Sequence, residues 1–192
     1  KELENTSVST IDNYIEALEK SNLIYLAKPI NVGSKGALKG KPKIFIADAA
    51  IRNAVLMIDD VLSDEKELGI MVETTVYKHI VSFYQTSTAS LGYFRNARDN
   101  QKEVDAVVEL PREKILCEVK YRNNTHISGK DAIVELCDAV DSGVTSAFLV
   151  TKHLNDVGIT KHNTAIPILR IPAIAFLYIL GKLEAESQNR KM

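Results

Sequence analysis

Residues 103–121 constrain the fold of this chain more than any other stretch, because they predict two apolar strands joined by a tight turn at residues 111–114. If this hairpin pairs as its length indicates, Asp105 on the first strand lies beside Glu118 and Lys120 on the second. Two carboxylates and one ammonium would then meet on a surface formed otherwise by Val, Ile, Leu and Ala side chains.

Side-chain alternation along the two strands predicts which residues share a face. Strict alternation places Asp105 on the same face as Val107 and away from Ala106. By the same rule, Glu118 and Lys120 share a face of the second strand. The hairpin therefore carries its charged side chains in a regular, predictable arrangement.

The acidic pair has a chemical use. Neighbouring carboxylates repel, and apolar surroundings raise the cost of leaving their charges unpaired. Mg²⁺ relieves both problems, because it favours one or two carboxylates together with waters and phosphate oxygens. Lys120 could then orient or help deprotonate a water and offset charge on a phosphate. The alternative is a surface salt bridge on an edge hairpin, with Lys120 pairing Glu118 or Asp105.

Composition sets limits on the class of protein. The chain has 192 residues with 45% hydrophobic and 26% charged residues, as in an ordinary globular protein, and has no apolar run of the roughly 20 residues that span a membrane. A net charge of −1 excludes a uniformly polyanion-binding surface. Cys117 and Cys137 lie in apolar patterns, which predicts buried thiols in a reducing compartment and favours the cytoplasm. Because the sequence starts with Lys1, we expect it to begin inside a longer polypeptide or after a removed tag.

The first 60 residues predict a small unit. A helix capped at Ser9 precedes strands at residues 23–29 and 42–46, with a Gly/Lys loop between them, as in the last half of a winged helix. We expect residues 7–46 to pack as a separate unit, followed by a connecting helix capped at Asp48. Four basic side chains of the loop and second strand could contact phosphates: Lys35, Lys39, Lys41 and Lys43. The alternatives are a solvated loop or a wing that binds protein.

Residues 61–183 predict a second, larger domain, followed by a polar tail at 184–192. Its predicted elements are a helix at 68–84, a strand at 91–95, the central hairpin, a helix starting near Ser128, strands at 144–151 and 166–171, and a helix at 173–183. This order predicts an α/β (α+β) fold in which three antiparallel strands are joined by a parallel one between helices. Glu73 lies beside the apolar face of the first helix, where it can reach over the edge of the sheet.

This order of elements, with Glu73, Asp105 and Glu118-Val119-Lys120 placed in it, resembles the PD-(D/E)XK nuclease superfamily. The resemblance implies a restriction-endonuclease-like αβββαβ core and a Mg²⁺ or Mn²⁺ ion held by Asp105, Glu118 and the carbonyl of Val119. It further implies that Lys120 positions or activates water and that Glu73 holds a second metal or a metal-bound water. The proline that names the superfamily is replaced by Val104.

A second resemblance covers nearly the whole chain. Its motifs are Val8-Ser9-Thr10-Ile11, Pro42-Lys43-Ile44-Phe45-Ile46-Ala47-Asp48, Gly69 with Glu73, Arg95, Glu103-Val104-Asp105 and Cys117-Glu118-Val119-Lys120-Tyr121. They are similar to the domain of unknown function that follows an AAA-type ATPase module in many bacterial and archaeal proteins. This resemblance implies an upstream ATPase, the only part expected to bind ATP, since no G-x-x-x-x-G-K-[ST] motif occurs here.

Two functions follow as hypotheses. The first is Mg²⁺-dependent hydrolysis of DNA phosphodiesters, with Arg95, Arg98 and Lys102 guiding the phosphate backbone. The second is a non-catalytic module that binds DNA or protein and regulates the ATPase. DNA and the upstream ATPase are the expected partners, a homo-oligomer is compatible with the sequence, and no membrane is expected. Metal binding at the hairpin distinguishes the two, because a binding module has no reason to take Mg²⁺ there.

Overall fold

The computed structural model describes residues 6–33, 42–99 and 101–189, which form a mixed α/β fold. The described helices are α1 Val8–Lys20, α2 Ala49–Val55, α3 Glu65–Tyr84, α4 Ala132–Asp138 and α5 Ala173–Asn189. The described strands are β1 Ile24–Pro29, β2 Lys43–Ile46, β3 Ser90–Arg95, β4 Glu103–Leu110, β5 Glu113–Lys120, β6 Val144–Thr151, β7 Gly158–Ile159 and β8 Ile168–Pro172.

All these strands belong to one mixed sheet in the order β2-β1-β3-β4-β5-β6-β8-β7. As predicted, β3, β4 and β5 pair antiparallel, and β6 joins β5 in parallel after the crossover helix α4. β8 continues the sheet in parallel, and the short strand β7, which was not predicted, pairs antiparallel with it. The mixed sheet predicted from the sequence is therefore observed.

The N-terminal hairpin does not form a separate unit, so that prediction was wrong. β1 pairs in parallel with β3 through Lys28 opposite Gly92 and Pro29 opposite Tyr93, and the amide of Ile30 donates to the carbonyl of Tyr93 at 2.8 Å. A Cβ at Gly92 would lie 2.0 Å from the carbonyl oxygen of Lys28, so only glycine allows this approach. The sheet consequently runs without a break from the N-terminal hairpin into the central one.

Helices cover both faces of the sheet and divide the core into two clusters. On one face, α4 packs over strand residues that include Val104, Val107 and Leu116. On the other face, α3 and α5 pack over residues that include Ala106 and Val108. The two cysteines are buried, as predicted, one in each cluster.

Capping side chains help to determine where helices start. One of the caps predicted from the sequence is confirmed, and the starts predicted for α1 and α4 were wrong. Asp48 caps α2 as expected by accepting from the amide of Ala50 at 2.9 Å. Ser7 rather than Ser9 caps α1, because the Ser7 hydroxyl accepts from the amide of Thr10 at 3.2 Å. The helix expected near Ser128 begins only at Ala132. The side chain of Ser128 is instead bonded to the carboxylate of Asp131 in the preceding turn.

The last helix is longer than predicted. α5 continues past Leu183 to Asn189, so residues 184–189, which were predicted as a polar tail, are helical. The segment after Leu183 contains Glu184, Ala185 and Glu186, which are good helix formers, and contains no glycine or proline that would end the helix. No helix in the described part of the chain has both the length and the apolar character that a membrane span requires.

Candidate functional site

The first feature of the site is an irregularity of β4 at Asp105. Gly92 pairs with Val107 and Phe94 with Val104, so β4 uses one more residue than β3 over this interval. This is the geometry of a β-bulge, which bends a strand and changes the direction of a side chain. The Asp105 carboxylate is thereby placed where its Oδ2 accepts the amide of Val119 at 2.9 Å.

The bulge makes the predicted strict alternation wrong. Val104 and Val107 both lie in the core under α4, whereas Ala106 lies in the core under α3 and α5. Two residues three positions apart can share a face only where the period of two is interrupted. Asp105 sits at this interruption and does not simply follow the face of Val107.

Glu118 is the most deeply buried carboxylate of the site, with 7% of its surface exposed. Its Oε1 lies 2.5 Å from the ammonium of Lys120, but its buried Oε2 has no hydrogen-bond partner among the described residues. Burial, and after it the charge of Asp105, raises the pKa of Glu118 to about 8, although Lys120 acts in the opposite direction. A buried carboxylate oxygen without a partner is costly, so Glu118 has an unmet requirement for a donor or a cation.

Glu73 reaches the same region from α3. Its Oε1 lies 3.1 Å from the ammonium of Lys43. Burial, and after it the charge of Asp105, raises the pKa of Glu73 to about 7 against the lowering effect of Lys43. Glu73 is therefore partly buried beside the hairpin and does not point into bulk water.

Glu73, Asp105, Glu118 and Lys120 converge, as the sequence predicted. All four line one cavity of about 420 Å³ between α3 and the end of the hairpin. The last three also line a second cavity of about 460 Å³, which extends toward the N-terminus of α4. The acidic end of the hairpin is thus accessible from two sides.

Lys43 is the central cation of the site, a role that was not predicted from the sequence. Its ammonium contacts Glu73 at 3.1 Å, Asp105 at 3.4 Å and the carboxylate of Glu103. Burial lowers the pKa of Lys43, but Asp105, Glu73 and Glu103 outweigh it, so the net pKa is raised. Lys43 therefore remains charged and neutralises part of the acidic cluster.

A signal for this role was present in the sequence. Lys43 and Phe45 are two positions apart on β2, so they share a face, and Phe45 is buried against Tyr77 with ring centroids 4.2 Å apart. The Lys43 ammonium lies 5.5 Å from the ring centroid of Tyr93, within the range of a cation–π contact. A lysine on the inward face of a strand requires buried acidic or aromatic partners.

Two of the predicted DNA-contacting residues are engaged in ion pairs. Arg95 pairs with Glu103, and Lys102 pairs with Glu135 of α4. Arg98 is exposed in the turn before β4. The loop lysines predicted to contact phosphates, Lys35, Lys39 and Lys41, lie outside the described residues. Contact of all these residues with DNA stays a prediction.

Some of the carboxylates at the site are suited to bind a divalent metal ion. The described residues contain no group of three or more His, Cys, Asp and Glu side chains arranged to hold a metal ion. Asp105 and Glu118 nevertheless supply two carboxylates, which suffice for Mg²⁺ when waters and phosphate oxygens complete its shell, and Glu118 Oε2 needs a partner. Glu73 forms an ion pair with Lys43 at 3.1 Å, so its carboxylate is less available to a metal ion than the unpartnered Oε2 of Glu118. The residues fit one ion at the hairpin, and a second ion at Glu73 does not fit while Lys43 remains in place.

Comparison with known families divides the chain into two matches. A model described as a domain of unknown function (DUF4143) matches residues 68–171, and a second domain of unknown function (DUF8612) matches residues 1–62. No curated protein matches the chain. Glu73, Asp105, Glu118 and Lys120 thus lie in the first match, whereas Lys43 lies in the second.

Proposed function

The chain belongs to the DUF4143 family, a domain of unknown function, and we propose that it hydrolyses DNA phosphodiesters with a divalent cation held by Asp105 and Glu118. The observation that carries the proposal is the buried carboxylate of Glu118, whose Oε2 lacks a partner among the described residues while Asp105 and Lys120 line the same cavity. A divalent cation satisfies this oxygen and neutralises both carboxylates.

The order of elements supports the same proposal. α3, β3, β4, β5, α4 and β6 follow one another as in the αβββαβ core of the PD-(D/E)XK superfamily. Asp105 lies on the second strand of this series and the Glu118-Val119-Lys120 motif on the third, where that superfamily carries its acidic residues and lysine. We therefore infer a restriction-endonuclease-like core.

The carboxylates would hold the cation. When bound, Mg²⁺ or Mn²⁺ supplies Lewis-acid polarisation of a phosphoryl oxygen and lowers the pKa of a coordinated water. Asp105 is fixed for this task by the Val119 amide, and Glu118 is fixed by its contact with Lys120. The carbonyl of Val119 is the third proposed ligand, by resemblance. One Oε atom of Glu118 remains available in this arrangement.

Lys120 is proposed to act as a cation at the reaction centre. Burial lowers its pKa, but Glu118, and more weakly Asp105, outweigh burial, so its pKa is raised. An ammonium with a raised pKa keeps its proton at neutral pH, which favours stabilisation of charge over abstraction of a proton from water. Lys120 would instead donate hydrogen bonds that orient the attacking water and would offset the negative charge that develops on the phosphoryl group.

The two cavities indicate where a polynucleotide backbone would lie. Lys66 and Arg122 line the cavity beside α3, and Lys102 and Lys130 line the one near α4. Basic side chains therefore stand on both sides of the acidic end of the hairpin. Phosphates held by these residues would place one phosphodiester over Asp105 and Glu118, because neutralisation of phosphates by Lys and Arg dominates binding to DNA.

A second function is favoured by a different observation. Lys43 already neutralises part of the acidic cluster by contacting Glu73, Glu103 and Asp105, as expected if these charges have a structural role. The chain would then be a non-catalytic DNA- or protein-binding module. In either case its resemblance to domains that follow AAA-type ATPase modules suggests that it works next to an ATPase in the same polypeptide.

A cleavage assay with metal control distinguishes the two functions. We expect the chain, tested alone and within its full-length polypeptide with ATP, to cleave DNA with Mg²⁺ or Mn²⁺ and to lose activity in EDTA. Asp105→Asn should reduce the rate by about 100-fold or more, because metal stabilisation of the transition state is worth several kcal/mol. Asp138→Asn, which changes an exposed residue of α4, is the matched control. Absence of cleavage of duplex, single-stranded and branched DNA under these conditions would overturn the nuclease function, and absence of metal binding as well would favour the binding module.

A further inference from the structure

We propose that Lys43 is a built-in competitor of the divalent cation, so that docking of the N-terminal hairpin β1–β2 controls metal occupancy of the site. This inference rests on the proposed function, because it assumes that Asp105 and Glu118 hold the cation. It adds a regulatory element that comes from outside the part of the chain matched by DUF4143.

The position of Lys43 is that of a cation bound by carboxylates. Its ammonium lies 3.1 Å from an oxygen of Glu73 and 3.4 Å from Oδ1 of Asp105, and it also contacts Glu103. Its side chain is only 20% exposed. Asp105 therefore uses Oδ2 for the Val119 amide and faces Lys43 with Oδ1, the oxygen that a metal ion would need.

Charge makes the two cations compete at close range. A divalent ion on Asp105 would stand next to the Lys43 ammonium, and like charges in a partly buried site repel strongly. Withdrawal of Lys43 would remove this repulsion and would also release the Glu73 carboxylate. Glu73 could then join Asp105 and Glu118 as a third carboxylate, which favours binding of a divalent cation.

The strand that carries Lys43 lies at the edge of the sheet. Among the described strands, β2 is the terminal one of the sheet and pairs only with β1. β1 in turn joins the sheet through two residue pairs, Lys28 with Gly92 and Pro29 with Tyr93. The hairpin is also held by the hydrogen bond from the Ile30 amide to the Tyr93 carbonyl and by burial of Ala27 and Phe45 in the core under α3 and α5. Phe45 stacks on the ring of Tyr77 there. The position of Lys43 in the acidic cluster therefore depends on how these contacts hold the hairpin against the core.

Competition of this kind is reciprocal. If docking of the hairpin weakens metal binding by some factor, metal binding must weaken docking of the hairpin by the same factor. Coupling factors between sites in proteins are typically about 5–150-fold, so the effect lies well within reach of measurement. A signal that loosens the hairpin would load the site with metal.

Calorimetric titration of the chain with MnCl₂ tests the proposal directly. Lys43→Met should bind Mn²⁺ at least about tenfold more tightly than the wild type, as expected for coupling of this size. Lys28→Met is the matched control, because it removes the same charge from an exposed position of the same hairpin and should leave the affinity unchanged.

The results of the titration distinguish failure of the competition by Lys43 from failure of the proposed metal site. Binding to the wild type with equal or weaker binding to Lys43→Met overturns the competition but leaves the metal site standing. Binding to neither protein overturns both. Where Lys43→Met does not fold, hydrogen exchange of the wild type decides: β2 amides should exchange several-fold faster with Mn²⁺ than with EDTA, and unchanged exchange refutes the competition.

Discussion

Gly92 lies so close to Lys28 that a Cβ at Gly92 would come within 2.0 Å of the Lys28 carbonyl oxygen. Backbone meets backbone here, so neither partner can move aside as a flexible side chain would. This contact is where β1 joins β3, and through β1 and β2 it helps determine the position of Lys43. Gly92 therefore influences whether the ammonium of Lys43 lies within the acidic cluster.

Gly92→Ala should destabilise the protein by about 1–3 kcal/mol or more, because the added methyl group overlaps with backbone that cannot relax freely. Urea unfolding monitored by circular dichroism measures the change. The matched control is Gly129→Ala, where no described atom lies within 4 Å of the added Cβ. Equal stability of the two variants would show that β1 does not depend on this close approach.

The sequence predicted the central hairpin well because its information is local. The alternation of apolar residues in β4 and β5 and the short turn between them are set by neighbouring residues, and they bring Asp105 beside Glu118 and Lys120. The bulge was not predicted because the pattern Val-Asp-Ala-Val is compatible with both a regular and a bulged strand. It depends on the pairing of Gly92 and Phe94 with β4.

The role of Lys43 could not be predicted because it depends on long-range topology. Sixty-two positions separate Lys43 from Asp105, and the two meet only because β1 pairs with β3. Two pairs of residues carry that pairing, and they leave no periodic pattern in the sequence. A lysine next to a glycine-rich loop therefore suggested a phosphate contact, whereas its described partners are carboxylates and aromatic rings.

Stability should fall as the pH rises from about 4.5 to about 8. Burial, and after it the charge of Asp105, raises the pKa of Glu118 to about 8 and that of Glu73 to about 7 in the folded protein. Over this range the unfolded chain releases protons that the folded protein keeps, so deprotonation favours unfolding. Each proton contributes a slope of up to about 1.4 kcal/mol per pH unit.

Urea unfolding in EDTA at several values of pH measures this slope. Glu118→Gln should reduce the slope to the part that Glu73 contributes, since the neutral amide does not titrate. Glu109→Gln, at the opposite end of the same hairpin and paired with Lys114, should keep the wild-type slope. A slope in Glu118→Gln as steep as in the wild type would mean that Glu118 is not the group that holds the proton.

Salt dependence should reveal the basic residues that bind DNA. In an Asp105→Asn background, which prevents cleavage, removal of Lys66 or Lys130 should reduce the slope of log K against log salt by about 1 for each phosphate that is no longer neutralised. Fluorescence anisotropy with labelled DNA measures the affinities. Lys182→Ala is the control, because Lys182 lies on α5 and lines neither cavity. Unchanged slopes in both variants would place the DNA elsewhere.

Replacement of Glu118 and replacement of Lys120 should each abolish cleavage, but for different reasons. Glu118→Gln removes a proposed ligand, so Mn²⁺ affinity and cleavage should fall together. Lys120→Met removes an ammonium 2.5 Å from Glu118, so cleavage should be abolished while Mn²⁺ binds as tightly as in the wild type or more tightly, because a neighbouring positive charge is gone. Calorimetry on both variants therefore separates them even when neither shows product. If Lys120→Met weakened Mn²⁺ binding as severely as Glu118→Gln, Lys120 would be holding the carboxylate in place and its proposed role at the phosphate would be wrong.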